Sequence, residues 1–183
     1  MVTFPIIETD RLKLDEIKMD DRESIFDLFS NNDVVKYYDL AAFSHIHQAD
    51  KLIEMVKARF YDSLGIRWAI RLKDTQQCIG TCGFNSWNLA SRSAVIGYDL
   101  NRNFWGRGLI TEALNCIIKT AFAGNLKCDN INRIQADTVL GNFASEAVLA
   151  KLGFRKEGVR RQSGYWKGKY HDLTCYGLLK EEF

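Results

Sequence analysis

The chain has 183 residues, 46% hydrophobic and 26% charged, with 25 Lys and Arg against 23 Asp and Glu. These values are those of an ordinary soluble globular protein long enough to bury a core, and a formal charge of +2 excludes a general electrostatic footprint for nucleic acid. No apolar run approaches a membrane span, and the opening MVTFPIIETDRL, broken by Pro5, Glu8, Asp10 and Arg11, lacks the charge order and apolar core of a signal peptide.

A cytoplasmic location is the expectation. Cysteine usage agrees with it: Cys78, Cys82, Cys116, Cys128 and Cys175 are odd in number, form no C-x-x-C pair and lie in or beside apolar runs, so they read as reduced core thiols. With one proline and no linker, charge block or repeat, a single domain spanning residues 1–183 is expected.

In chain order, RLKLDEI at 11–17 alternates leucine and charge and predicts a strand. MDDRESIFDLF then places Ile25, Phe26, Leu28 and Phe29 at helical spacing behind acidic residues suited to a helix start. The stretch NNDVVKYYDLAAFSH has no clear period and carries Tyr37, Tyr38 and Phe43, while QADKLIEMVKARFYD repeats Leu52, Ile53, Val56 and Phe60 and predicts a second helix. RWAIRL, CIGTCGFNSW and SAVIGYDL, separated by KDTQQ and NLASR, predict three antiparallel strands. Beyond NFWGRG, the stripe Ile110, Leu114, Ile117 and Ala121 predicts a helix ending near Gly124-Asn125. INRIQADTVL is strand-like. NFASEAVLAKLGF predicts a helix with Asn142 as cap, Ala144, Val148 and Leu152 as its stripe, and Gly153 just past its end. GVRRQSGYW and HDLTCYGLL are the last strands. The order β-α-α-β-β-β-α-β-α-β-β gives a mixed α/β fold of hairpins with one crossover.

The turn WGRG carries the chemistry. The first N–H groups of a helix have no intrahelical partner and favour an anion, and glycines at 106 and 108 would let a phosphate approach the backbone. A Walker loop is excluded because Leu109-Ile110 stand where Lys and Ser/Thr are needed. A dinucleotide fingerprint would want glycine at Thr111 and further β-α units that the strand-rich C-terminus does not supply. A nicotinamide-dependent oxidoreductase and a plain tight turn both stay open on these residues alone. His45 and His47 have no third ligand at useful spacing, so no metal site is expected.

IGYDLNRNFWGRGLITEAL resembles motif A of the GNAT acyltransferase superfamily, and NFASEAVLAKLGFRKEG resembles its motif B. The likeness is strongest to the RimJ/RimL branch of ribosomal-protein N-acetyltransferases, which ETDRLKL and YHDLTCYGLL also resemble. The resemblance implies a GNAT-like fold with a splayed central sheet, acetyl-CoA lying between the strands that end near Leu100 and Asp137. It implies that the turn at Gly106 and the amides of Arg107, Gly108, Leu109 and Ile110 cradle the pyrophosphate, with the Thr111 hydroxyl close by. Tyr98 and Leu100 would pair their main chain with the pantetheine arm, and Asn142 would contact the same cofactor.

The sequence departs from the superfamily twice. Asn103 stands at the first motif position, where Gln or Arg is usual, and Leu149 stands where many members carry a tyrosine general acid; Ser145, one turn after Asn142, becomes the candidate acid. The implied acceptor is a primary amine, either a protein N-terminus such as that of a ribosomal protein or a small molecule, in an enzyme that often dimerises and needs neither metal nor membrane. An α-amine, with a reference pKa of about 7.7–8.0 against about 10.4 for lysine, needs only a modest base. Candidates for that base are Asp99, the His171-Asp172 pair, and water. Tyr37, Tyr38 and Phe43 would line the acceptor groove or plug the core. Lys151, Arg155, Lys156, Arg160, Arg161, Lys167 and Lys169 would attract an acidic partner or the coenzyme 3′-phosphate, or form a solvated strand face. A non-catalytic acyl-CoA sensor is the alternative that the missing tyrosine leaves open.

Overall fold

The computed structural model describes residues 3–128 and 130–183. Eight strands form one sheet: β1 (Ile7–Glu8), β2 (Leu12–Glu16), β3 (Ile66–Leu72), β4 (Cys78–Asn88), β5 (Ser93–Leu100), β6 (Arg133–Val139), β7 (Arg155–Trp166) and β8 (Lys169–Leu179). Their spatial order is β1-β2-β3-β4-β5-β6-β8-β7. The pairing is antiparallel everywhere except between β5 and β6. β1 was not anticipated, because two residues carry no period; Ile7 simply pairs with Leu14 at the sheet edge.

The two-residue period sorts the side chains between two cores. Ile66, Trp68 and Ile70 share a face with Cys82, Phe84 and Ile96. That face is covered by α3 (Leu109–Phe122) and by α4 (Phe143–Lys151) through Leu149. On the other face, Ala69 packs with Ile25, Leu28 and Phe29 of α1 (Arg22–Ser30) and Ile53 of α2 (His47–Tyr61). Phe43 stacks against Phe29 at 5.4 Å and belongs to this second core. The acidic residues before α1 do not cap it. Asp21 instead accepts from the Lys18 amide and, with Asp15, binds the Arg71 guanidinium at 2.6 Å, tying the end of β2 to β3.

Two helix stripes differ from expectation. α3 buries Leu109, Ala113, Leu114, Ile117, Ile118, Ala121 and Phe122, a broader face than predicted, while Ile110 is only partly covered. In α4 Leu149 is buried and Ala144 exposed, while Val148 and Leu152 of the expected stripe do pack on the core. A nine-residue helix docks through its C-terminal end, so a stripe along its whole length has nothing to pack against. Gly153, at φ 85°, follows it as anticipated, its N–H bonded to the Ala150 carbonyl.

The crossover through α3 makes β5 and β6 parallel, yet they pair only at Ser93–Val95 with Arg133–Gln135. Beyond that point the strands separate. β4 continues alongside β5 to Leu100, and β8 alongside β6 to Val139. Each arm is therefore braced on its outer side while the inner edges lose their partners, and such edges seek another chain or ligand. A single parallel pair within an otherwise antiparallel sheet is not the doubly wound sheet that a dinucleotide site requires. The oxidoreductase reading falls on that ground.

Candidate active site

Two glycine turns stand at the ends of the separated arms. After β5 the chain makes a short 3-10 turn at Arg102–Phe104, in which the Asn101 side chain accepts from the Asn103 amide at 3.1 Å. Gly106 and Gly108 follow, both at φ 74°, a left-handed backbone that other residues adopt at a cost. A Cβ at Gly106 would meet no atom within 4 Å, so the turn opens onto free space. Gly108 caps α3 with no side chain bonded to the first helical amides. Those N–H groups, at the positive end of a fourteen-residue helix, form an anion cradle. The structure thus brings Gly106, Arg107, Gly108, Leu109, Ile110 and Thr111 into one turn and helix start. Arg107 lies over the Phe104 ring, and Asn103 is exposed.

An N-terminal brace that sequence reading missed holds this turn. Arg11 Nη1 donates to the Arg107 carbonyl at 3.0 Å, and its Nε and Nη2 bind Glu112 Oε2 at 2.7 and 2.6 Å. Thr9 Oγ1 and the Arg11 amide donate to Glu112 Oε1 at 2.5 and 3.1 Å. Burial pushes the Glu112 carboxyl up, and these donors outweigh it, holding the group below its usual range. With the Arg107 carbonyl turned to the guanidinium, the neighbouring amides stay free to face an anion. Arg11 and Glu112 are separated by 101 positions, so no local pattern marks the pair.

On the arm of β5, Tyr98 and Leu100 share the α3/α4 face and Asp99 the opposite one, as strand alternation predicts. The Tyr98 carbonyl accepts from Tyr38 Oη at 3.2 Å, and the Leu100 carbonyl from Trp105 Nε1 at 2.7 Å. Burial and the nearby Asp99 push the Tyr38 phenol well above its usual range, so it remains a neutral donor. Tyr37 Oη donates to the Gly141 carbonyl at 3.0 Å, beyond the end of β6. The Tyr37-Tyr38 pair thus bridges both lips of the opening. Lys167 Nζ, from the β7–β8 turn, donates to the Val35 carbonyl at 2.7 Å, and Asp33 pairs with Arg102, fastening this segment further.

At α4, Asn142 Oδ1 accepts from the Ser145 amide at 3.3 Å, the predicted cap. Ser145 Oγ lies 2.6 Å from Tyr98 Oη, a bond that crosses from α4 to the arm of β5. Burial pushes the Tyr98 phenol up to about 12. Asp99 is not part of this group. Its carboxylate is buried on the far face, ion-paired with Arg67 and accepting from Thr81 Oγ1 at 3.0 Å. His171 and Asp172 are also engaged elsewhere: His171 stacks on Trp166 at 4.1 Å, and Asp172 Oδ1 accepts from the Gln162 amide at 2.7 Å within the β7–β8 hairpin. Three of the basic residues in this region have protein partners, Arg155 with Glu182, Arg160 with Asp137, and Lys167 as described. Among the described residues no three His, Cys, Asp or Glu side chains gather as metal ligands, and no helix is long and apolar enough to cross a membrane.

The residues fit acetyl-CoA on two observations. The helix start is uncapped beside an open glycine turn, and unpaired strand edges lead away from it. Comparison with known proteins agrees. The family model described as the acetyltransferase (GNAT) domain matches residues 11–155. The chain is 38% identical over 177 residues to the Bacillus subtilis (strain 168) protein described as uncharacterized N-acetyltransferase YoaA, covering 97% of this chain and 98% of that one. It is 30% identical over 111 residues to the Escherichia coli (strain K12) [ribosomal protein uS5]-alanine N-acetyltransferase, covering 60% and 55%. The solved structure of the microcin C7 self-immunity acetyltransferase MccE in complex with acetyl-CoA and AMP superposes with a TM-score of 0.84 at 25% identity, covering 93% of each chain. This sets aside the sensor alternative: the chain belongs to the GNAT acetyltransferase family, whose enzymes take an acetyl group from acetyl-CoA and place it on an amine.

Proposed function

We propose that the acceptor is the α-amine of a protein N-terminus, of the kind acetylated by the ribosomal-protein relatives, and that the enzyme works as one domain in the cytoplasm. The observation that carries this reading is the engagement of Asp99 with Arg67 and Thr81 on the face of β5 opposite Tyr98 and Leu100. That carboxylate is taken up by the guanidinium and the threonine hydroxyl and is not presented to an incoming amine. With Asp99, His171 and Asp172 engaged by protein partners, the amine loses its proton to water, which an α-amine does near neutral pH far more readily than a lysine. The relative that acetylates ribosomal protein uS5 at alanine supports the same class, and the free thiols of Cys78, Cys82, Cys116 and Cys175 suit a reducing compartment.

When bound, acetyl-CoA supplies an activated thioester. In this reading the amides of Arg107, Gly108, Leu109 and Ile110 hold its pyrophosphate. The edge of β5 at Tyr98 and Leu100, whose carbonyls are taken by Tyr38 and Trp105, aligns the pantetheine arm through its amides, and Thr111 and the Asn142 amide nitrogen are left as further donors. Asn103 contributes through its neighbours, its own amide being engaged by Asn101. Ser145 donates a hydrogen bond to the departing sulfur. Tyr37 and Tyr38, bridging the lips, form the wall against which the acceptor lies.

The test is release of free thiol from acetyl-CoA over two short peptides of one sequence. One has a free N-terminus and no lysine; the other has a blocked N-terminus and one lysine. Turnover on the first alone supports the proposal, and preference for the second overturns it. Ser145→Ala is expected to lower kcat about tenfold to a hundredfold with acetyl-CoA affinity within about twofold; an unchanged kcat removes Ser145 from the mechanism.

A further inference from the structure

We infer that the Tyr98 phenol is a positioning residue for the departing sulfur: it donates its hydrogen to Ser145 Oγ and thereby aims the serine's own hydrogen into the opening between β5 and β6. The inference rests on the acetyltransferase reading above and extends it to a side chain that the family motif does not supply. Leu149, at the position of the superfamily's tyrosine, is fully buried in the core and has no hydrogen to donate. A tyrosine does reach the same helix, from a strand.

The geometry is direct. Tyr98 Oη lies 2.6 Å from Ser145 Oγ and 3.3 Å from the Ser145 carbonyl. The first separation is that of a good O–H···O bond, which either oxygen could donate, and the second is long for one; with the phenolic hydrogen on the shorter bond, Ser145 Oγ accepts it. Among the described residues Ser145 Oγ has no second hydrogen-bond partner, which leaves the serine hydrogen free. Asn142 fixes the first turn of α4 by accepting from the Ser145 amide, and the carbonyl of Tyr98 is held by Tyr38. Both ends of the Tyr98–Ser145 bond are therefore anchored by separate contacts. The ring is partly buried against the core, and burial of the phenol keeps it protonated throughout the working range.

The chemistry balances without either hydroxyl losing its proton. The amine nitrogen forms a bond to the acetyl carbon, the carbon–sulfur bond breaks with its electron pair on sulfur, and the extra proton on nitrogen goes to water. Serine is far too weak an acid to protonate a thiolate. It contributes a hydrogen bond to the charged sulfur, and donation from Tyr98 polarises that hydroxyl and strengthens its own bond.

Product coenzyme A tests this without any acceptor. The thiolate absorbance of the bound coenzyme is followed against pH, with coenzyme-free protein subtracted to remove the five cysteines. A hydrogen bond to the thiolate lowers the thiol pKa, so Tyr98→Phe and Ser145→Ala are each expected to raise it by about one unit. The double variant should shift no further than either single one. Calorimetric affinity for coenzyme A should stay within about twofold in Tyr98→Phe. An unshifted titration in Tyr98→Phe, simple addition of the two shifts, or a loss of affinity in place of a shift each overturns the inference and leaves the acetyltransferase reading standing. Failure of the unmodified protein to bind coenzyme A overturns that reading and the inference with it.

Discussion

Helices α3 and α4 each follow a parallel strand through a glycine turn. The first turn is Gly106-Arg107-Gly108 and the second Gly141-Asn142, yet only α4 has a first-turn amide met by a side chain. At α4 the Asn142 carbonyl oxygen takes up the Ser145 N–H, and the serine is held where its hydroxyl meets Tyr98. At α3 the cap is a glycine, and among the described residues the only side chain within 4 Å of a Cβ placed there is Arg11, which binds the Arg107 carbonyl and Glu112 and leaves the amides untouched. A capped helix start positions a side chain. An uncapped one is itself the binding group, and an anion completes it.

Substitutions at the two helix starts should separate along that line. The largest effect is expected at the open start: Gly108→Val forces a β-branched residue to φ 74° and distorts the backbone that presents the amides. Calorimetry should show acetyl-CoA affinity falling by about a hundredfold or more while far-ultraviolet circular dichroism keeps its shape. Retained affinity would mean that the amides of α3 do not hold the cofactor. Arg11→Ala leaves those amides in place and removes what orients them. A rise of about tenfold in the KM for acetyl-CoA is expected, with kcat within about twofold; a change confined to kcat would place Arg11 outside the cradle. The smallest effect belongs to the capped start. Asn142→Ala should lower folding stability by about 1 kcal/mol in urea titration, with a smaller loss of cofactor affinity than Arg11→Ala. The opposite ranking would make Asn142 a principal cofactor ligand and its cap incidental.

Most of the site was legible because its parts are local. WGRG announces itself through two glycines one residue apart before an apolar helix, and NFAS through a cap residue three before its serine. The alternation of Tyr98, Asp99 and Leu100 told which face each would take. Illegible were the groups joined over long separations: Arg11 with Glu112, Tyr98 with Ser145, Tyr37 with Gly141, and Asp99 with Arg67. His171 and Asp172 looked available for chemistry because sequence shows neither the Trp166 ring nor the Gln162 amide that engages them.

Element type and order were in the chain itself, since backbone periodicity, caps and glycine turns act over a few residues and need no partner elsewhere. Tertiary structure decided three other things. β1 forms only because β2 offers it an edge. α4 buries Leu149 and leaves Ala144 exposed, although Val148 and Leu152 pack on the core as the stripe predicts, since a short helix takes its orientation from the sheet beneath it. Asp99 and Tyr98, neighbours in sequence, go to different fates because the two faces of β5 meet different partners, a buried arginine on one and a serine at the mouth of an opening on the other.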